Sequence, residues 1–162
     1  MEENSKNKAS PRTVILGIGN VLLSDEGLGV YVVHELSKLN LPENVEVMDG
    51  GTLGFGLLDI VCEADRLIIV DAIKGGCEPG TVYHISLDDL QKMPRGTFCS
   101  FHEVGILDVL RAAELLGKRP KTEVFGIEPK SLELKMELSE EIRNKVPKLI
   151  DAILTSLTEE QG

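Results

Sequence analysis

Apolar residues along this chain fall into short runs, and the spacing inside the runs is of two kinds. Thr13-Val14-Ile15-Leu16 is a continuous β-branched run halted by Gly17-Ile18-Gly19-Asn20, the pattern of a strand buried on both faces. Val45 to Met48, Leu67 to Val70, Thr81 to Ile85 and Glu123 to Ile127 predict four more strands. Thr81 to Ile85 alternates more than the others and follows the turn signal Glu78-Pro79-Gly80, which places it nearer a sheet edge. Between the strands the period lengthens. Gly29, Val32, Val33 and Leu36 form a helical stripe opening near Asp25, with Ser24 or Asp25 available as its cap. Leu57, Leu58, Val61 and Cys62 share a second helical face, and a third helix is expected from about Glu103 to Gly117. The last opens at Ser139 and carries Ile142, Val146, Leu149, Ile150, Ile153 and Leu157 inward. Pro147 interrupts it, but the stripe stays in phase across the proline, so a bend is expected rather than a break.

Strands alternating with helices predict an α/β fold: a three-layer α/β/α sandwich around a twisted, mostly parallel sheet of about five strands. Residues 13–162 are read as a single domain and residues 1–12, polar and lysine-bearing, as a disordered tail. The chain has 162 residues, enough for one core without metal or disulfide support. Seventeen basic against 27 acidic residues give a formal charge of −10, which argues against a nucleic-acid partner. No signal-peptide pattern and no membrane-length apolar run is present, so no membrane partner is expected and the expectation is a cytoplasmic monomer. Cys62, Cys77 and Cys99 lack C-x-x-C spacing, which disfavours a zinc ribbon, a thioredoxin-like motif or a disulfide framework. Cys99 stands three residues before His102, so a Cys/His pair stays open as a minor alternative.

A parallel sheet of this kind binds ligands beyond the carboxyl ends of its strands. Three polar segments leave the sheet there, Gly17 to Glu26, Asp49 to Thr52 and Asp71 to Gly76, and each carries a carboxylate. Acids gathered at one edge repel each other unless a cation, a proton or a basic partner compensates. Gly17-Ile18-Gly19 resembles the start of a dinucleotide-binding loop, but Leu22 occupies the third glycine position and Asp25 and Glu26 would repel a pyrophosphate at the helix entry. Glu26 also suits a plain first-turn acid, Asp71 a turn former and His102 a structural histidine. Taken together, two carboxylates and an imidazole form a mixed oxygen and nitrogen donor set suited to zinc, nickel or another borderline divalent ion. Spacing alone does not join the three, because they are distant in sequence.

The residues also carry a resemblance. Gly17 to Val30, Gly-Ile-Gly-Asn-Val-Leu-Leu-Ser-Asp-Glu-Gly-Leu-Gly-Val, is similar to the opening motif of the hydrogenase maturation endopeptidases. Asp49-Gly50-Gly51-Thr52, Val70-Asp71-Ala72, Ser100-Phe101-His102-Glu103-Val104-Gly105, and Gly126-Ile127-Glu128-Pro129 with Leu138-Ser139 resemble its later blocks in order. Phe101 stands where a proline is frequent, which does not touch the ligand set. The resemblance implies an endopeptidase that removes the C-terminal extension from the precursor of the nickel-iron hydrogenase large subunit, its partner, after nickel insertion. By motif match the metal-contacting residues fall on Glu26, Asp71 and His102, with Asp49 a further acid close to the site. The implied cofactor is nickel, carried by the substrate, for which zinc or another divalent ion could substitute. Two mechanisms stay open, a Lewis-acid metal or a nickel that serves to recognise loaded precursor. A non-catalytic nickel-binding chaperone on the same fold is the alternative function.

Overall fold

A computed structural model of the chain describes residues 11–94 and 105–159. The strands are β1 (Thr13–Ile18), β2 (Val45–Gly51), β3 (Arg66–Ala72), β4 (Val82–Ser86) and β5 (Lys121–Ile127). The helices are α1 (Leu28–Leu36), α2 (Leu58–Glu63), α3 (Leu87–Gln91), α4 (Ile106–Leu115) and α5 (Glu140–Glu159). They form one sheet in the order β2-β1-β3-β5-β4, parallel except for β4, which pairs antiparallel to β5 at the edge. The expected mostly parallel sheet and the edge position of the fourth strand are both present. Short α3 was not anticipated, because Leu87-Asp88-Asp89-Leu90-Gln91 offers only one turn of pattern; Ser86 caps it by accepting from the Asp89 N–H.

The alternation of side chains along each strand divides the core in two. Ile15, Ile68, Val70, Phe125 and Ile127 face α1 and α5, while Val14, Leu16, Leu67, Ile69 and Val124 face α2 and α4. Every residue of β1 and β3 is buried, as befits strands covered on both faces. Helix α5 runs unbroken through Pro147, which lies on its exposed face, because Val146 and Leu149 on either side are buried in the first core.

Crossing from β1 to β2 covers one face with α1; returning from β2 to β3 covers the other with α2. The chain therefore reverses its winding between β1 and β3, where a doubly wound sheet opens a crevice at its carboxyl edge. Helix α1 reaches that crevice because of two glycines. A Cβ on Gly29 would meet the Val70 carbonyl oxygen at 2.1 Å and the Ile18 oxygen at 2.3 Å; one on Gly17 would meet the Gly29 oxygen at 2.2 Å. The helix rests on strand backbone with no side chain between.

At the opposite edge, Arg66 of β3 is buried and donates to Glu123 of β5 and to the Ser156 hydroxyl of α5. His84 of β4 lies 2.7 Å from the second Glu123 oxygen and stacks on Phe125. Burial would raise the Glu123 carboxyl, but His84, Arg66 and Ser156 outweigh it and hold it below the ordinary glutamate range. Arg12 is tied here too, through its N–H to Asp65 and its guanidinium to Glu46 and Glu63.

Two stability measurements follow from these contacts. Gly29→Ala is expected to cost at least about 2 kcal/mol, since the obstruction is backbone and the helix must lift; an unchanged denaturant midpoint would contradict the packing. A carboxyl with a depressed folded pKa contributes stability present above its unfolded value near 4.3 and lost as pH falls through the folded value. Thermal unfolding of Glu123→Gln should therefore show a deficit against the wild type at pH 7 that shrinks towards pH 3. An equal deficit at both would show that ionisation of Glu123 contributes nothing.

Candidate active site

Beyond β1 the chain makes a tight return to the crevice. Gly19 has φ 143°, and a Cβ there would stand 1.9 Å from the Glu26 carbonyl oxygen, so the strand exit and the Glu26 backbone are in direct contact. Residues Ser24–Gly27 form a single 3-10 turn leading into α1, not the first turn of an α-helix that the stripe predicted. Neither Ser24 nor Asp25 caps α1. Their polar groups are engaged elsewhere: the Ser24 hydroxyl donates to the Glu133 carbonyl at 2.7 Å, and the Asp25 carboxylate accepts from Lys130, Ser131 and Ser139. Such partners, more than a hundred residues away, leave no trace in local spacing. Ser24 itself has φ 52°, a left-handed conformation that non-glycine residues adopt at a cost and that clusters at functional sites. Glu26 is fully buried.

Asp71 is the last residue but one of β3 and is also fully buried. Strand alternation puts it on the same face as Leu67 and Ile69, the face covered by α4, and its Oδ1 accepts from the Ala72 N–H at 2.8 Å. Asp49 lies on the other side of β1, where Gly17 pairs with Asp49 on one flank and Val70 on the other. With strands about 4.8 Å apart, the Asp49 and Asp71 backbones are about 10 Å from each other across β1. A register shift past Asp49 kinks the end of β2, with Ile18 pairing to Gly51, and Gly51 turns at φ 44°. Asp49 is half-exposed, and its Oδ2 stands 3.3 Å from Nε2 of His34 on α1. The structure thus brings Glu26, Asp71 and Asp49 to one sheet edge, with Glu26 and Asp71 flanking the winding reversal. Among the described residues, no three His, Cys, Asp or Glu side chains group to hold a metal ion. The third expected ligand, His102, and the thiol of Cys99 lie outside the described residues, as does the expected helix start at Glu103.

Comparison with known proteins supplies the family. A profile described as hydrogenase maturation protease matches residues 30–156. The chain belongs to the hydrogenase maturation protease family. It is 35% identical over 151 residues to the hydrogenase 2 maturation protease of Escherichia coli, covering 91% of this chain and 92% of that protein. It is 42% identical over 126 residues to the hydrogenase expression/formation protein HupD of Rhizobium leguminosarum. That match takes in 76% of this chain but only 62% of HupD, so the chain spans less than two thirds of the length of such relatives. Among solved structures, the hydrogenase maturating endopeptidase HybD from E. coli superposes with a TM-score of 0.84 at 34% identity, covering 92% of this chain and 93% of HybD. HybD from Thermococcus kodakarensis gives 0.75 at 30% identity, over 89% and 97% of the two chains. The α/β fold is therefore that of the HybD-type members of this family, and among the described residues no helix is long and apolar enough to cross a membrane.

A further buried acid, not among the expected site residues, shapes this edge of the sheet. Glu128 directly follows β5 as Asp71 follows the apolar run Leu67–Val70, and the same signal, an acid after a buried apolar run, was there to be read. It is buried and accepts from the Gly75 N–H at 2.8 Å, the Gly76 N–H at 3.1 Å and the Tyr83 hydroxyl at 3.3 Å. Its backbone pairs with Gly80 and Thr81. One side chain thereby shapes the loop that follows Asp71. Burial, a hydrogen bond with Cys77 and the Glu128 carboxylate together push the Tyr83 phenol well above its ordinary range. A groove of about 520 Å³ runs between α1 and residues 136–138, with Gly27, Val30, Tyr31, His34 and Met136 among its walls. Glu128→Ala should free the Gly75 and Gly76 amides, seen as accelerated hydrogen exchange, and lower stability by about 1–3 kcal/mol. Unchanged exchange at both amides would show that the loop holds its shape without Glu128.

Proposed function

We propose that this chain is an endopeptidase that removes the C-terminal extension from the precursor of the nickel-iron hydrogenase large subunit, acting after nickel has been inserted. The observation that supports this best is the pair of fully buried carboxylates, Glu26 and Asp71, flanking the winding reversal of a hydrogenase maturation protease fold. Burying a carboxylate is costly unless hydrogen bonds or a cation compensate it. On this reading the nickel arrives as cargo on the precursor, and Glu26, Asp71 and His102 complete its coordination. The donor set suits the ion, since carboxylate oxygen and imidazole nitrogen are ligands that borderline divalent metals accept, zinc included. His102 stands three residues before Gly105, the N-cap of α4, and α4 packs on the face that carries Asp71.

Recognition of a loaded precursor then becomes a positioning device. Engaging the nickel fixes the nearby chain of the precursor against the sheet edge, which turns a mobile peptide bond into a held one. Asp49 is the acid with solvent access, beside His34, and on this reading it would take a proton from an attacking water. Glu26, Asp71 and His102 would hold the ion, which would supply Lewis-acid polarisation of the scissile carbonyl at the same site.

Mass spectrometry of nickel-loaded precursor incubated with and without this protein tests the reading. Loss of a C-terminal peptide is expected, and unchanged length would favour a nickel-binding chaperone on the same fold. His102→Ala should abolish processing; normal cleavage by that variant would refute the ligand assignment. Cleavage of nickel-free precursor at an equal rate would defeat the recognition role.

A further inference from the structure

Asp25 takes no part in the site as proposed, yet it is a fully buried carboxylate beside the residue on which the site depends. Its Oδ2 accepts from the Lys130 N–H at 2.9 Å and the Ser131 N–H at 2.8 Å; its Oδ1 accepts from the Ser139 N–H at 2.8 Å. The Ser139 hydroxyl donates as well, 3.0 Å from Oδ1 and 2.8 Å from Oδ2. Ser139 in turn offers its carbonyl to the Arg143 N–H, so it stands at the N-cap of α5. The carboxylate therefore meets the positive end of a 20-residue helix as well as its donors. Backbone contacts surround this grip. The Asp25 N–H donates to the Ser131 carbonyl, the Ser24 N–H to Lys135, and the Lys135 N–H to Leu22.

Such a heavily held turn needs a reason, because Ser24 adopts its left-handed φ within it. In a 3-10 turn, successive side chains diverge by about 120°. Anchoring Asp25 towards α5 thus fixes the direction in which Glu26 leaves the same turn, while Gly19 bears on the Glu26 carbonyl from the other side. We infer that Asp25 is a positioning residue: by gripping Lys130, Ser131 and Ser139 it sets the orientation of the Glu26 carboxylate for the substrate's metal. Residues 130–139 are then part of the site, although they carry no reacting group. The inference rests on the proposed role of Glu26.

The test uses the full chain and nickel-loaded precursor, with kcat and KM measured well below each variant's unfolding midpoint. Asp25→Asn keeps size but turns an amide NH2 towards donors, and it should lower kcat about 10²-fold while KM moves less than about threefold, as for a misplaced group. Ser139→Ala should lower kcat about tenfold and Ser139→Thr should restore it, the hydroxyl being the only difference that matters. In a Glu26→Asp background the Asp25→Asn effect should fall below about tenfold, because both act through one group. A merely structural Asp25 would lower the unfolding midpoint and leave kcat intact. Wild-type kcat in Asp25→Asn with an inactive Glu26→Gln overturns the positioning role alone, as does an undiminished effect in the Glu26→Asp background. Should Asp25→Asn fail to fold, equal kcat for Ser139→Ala and Ser139→Thr does the same. Normal processing by Glu26→Gln overturns the reading of the site, and this inference with it.

Discussion

The contact of α1 with the bare backbones of β1 and β3 is the constraint on which the rest of the molecule turns. With no side chain at Gly29 or Gly17, the helix sits against the Val70 and Ile18 carbonyls instead of a side-chain layer above them. That closeness brings the turn before α1 down to the sheet edge at the winding reversal. Glu26 is in that turn, and Val70 is the residue before Asp71. One carboxylate from the turn that leads into α1 and one from β3 thus come to flank one crevice, both fully buried. Any side chain at position 29 would separate them by lifting the helix.

Three acids secure the edge in different ways, and their surroundings distinguish them. Asp25 is saturated by donors from residues 130–139 and acts as a tie. Glu128 is engaged by Gly75, Gly76 and Tyr83 and shapes the loop after Asp71. Asp49 is open to solvent, with His34 beside its Oδ2 among the described residues. A buried carboxylate with several backbone donors is a structural element, whereas one with solvent access can exchange protons. The closing block of the family pattern, 126–139, thereby acquires a physical role. It contributes no chemistry and braces both sides of the crevice.

Most of the fold was legible in the sequence, for reasons that can be traced. The runs at Val14–Leu16 and Leu67–Val70 are apolar without alternation because both sheet faces are covered, and α5 remained visible through Pro147 because its stripe is long. What stayed hidden was non-local. The start of α1 was read as capped by Ser24 or Asp25, since those residues ordinarily cap helices. Their actual partners lie beyond β5, and no local rule reaches that far. Asp71 announced itself as an acid ending an apolar strand, and Glu128 carried the same signal without being singled out. Glu26 and Asp71 could be placed at one edge from strand order, but their union with His102 rested on the likeness to the family, and His102 lies outside the described residues.

The central claim is that Glu26 and Asp71 engage a nickel ion delivered by the precursor. X-ray absorption at the nickel edge, recorded on loaded precursor alone and after addition of an excess of the His102→Ala variant to slow turnover, addresses it most directly. The account predicts added oxygen ligation at nickel in the complex, diminished when Glu26→Gln and Asp71→Asn are introduced as well. A nickel spectrum unchanged by a demonstrably formed complex would contradict it.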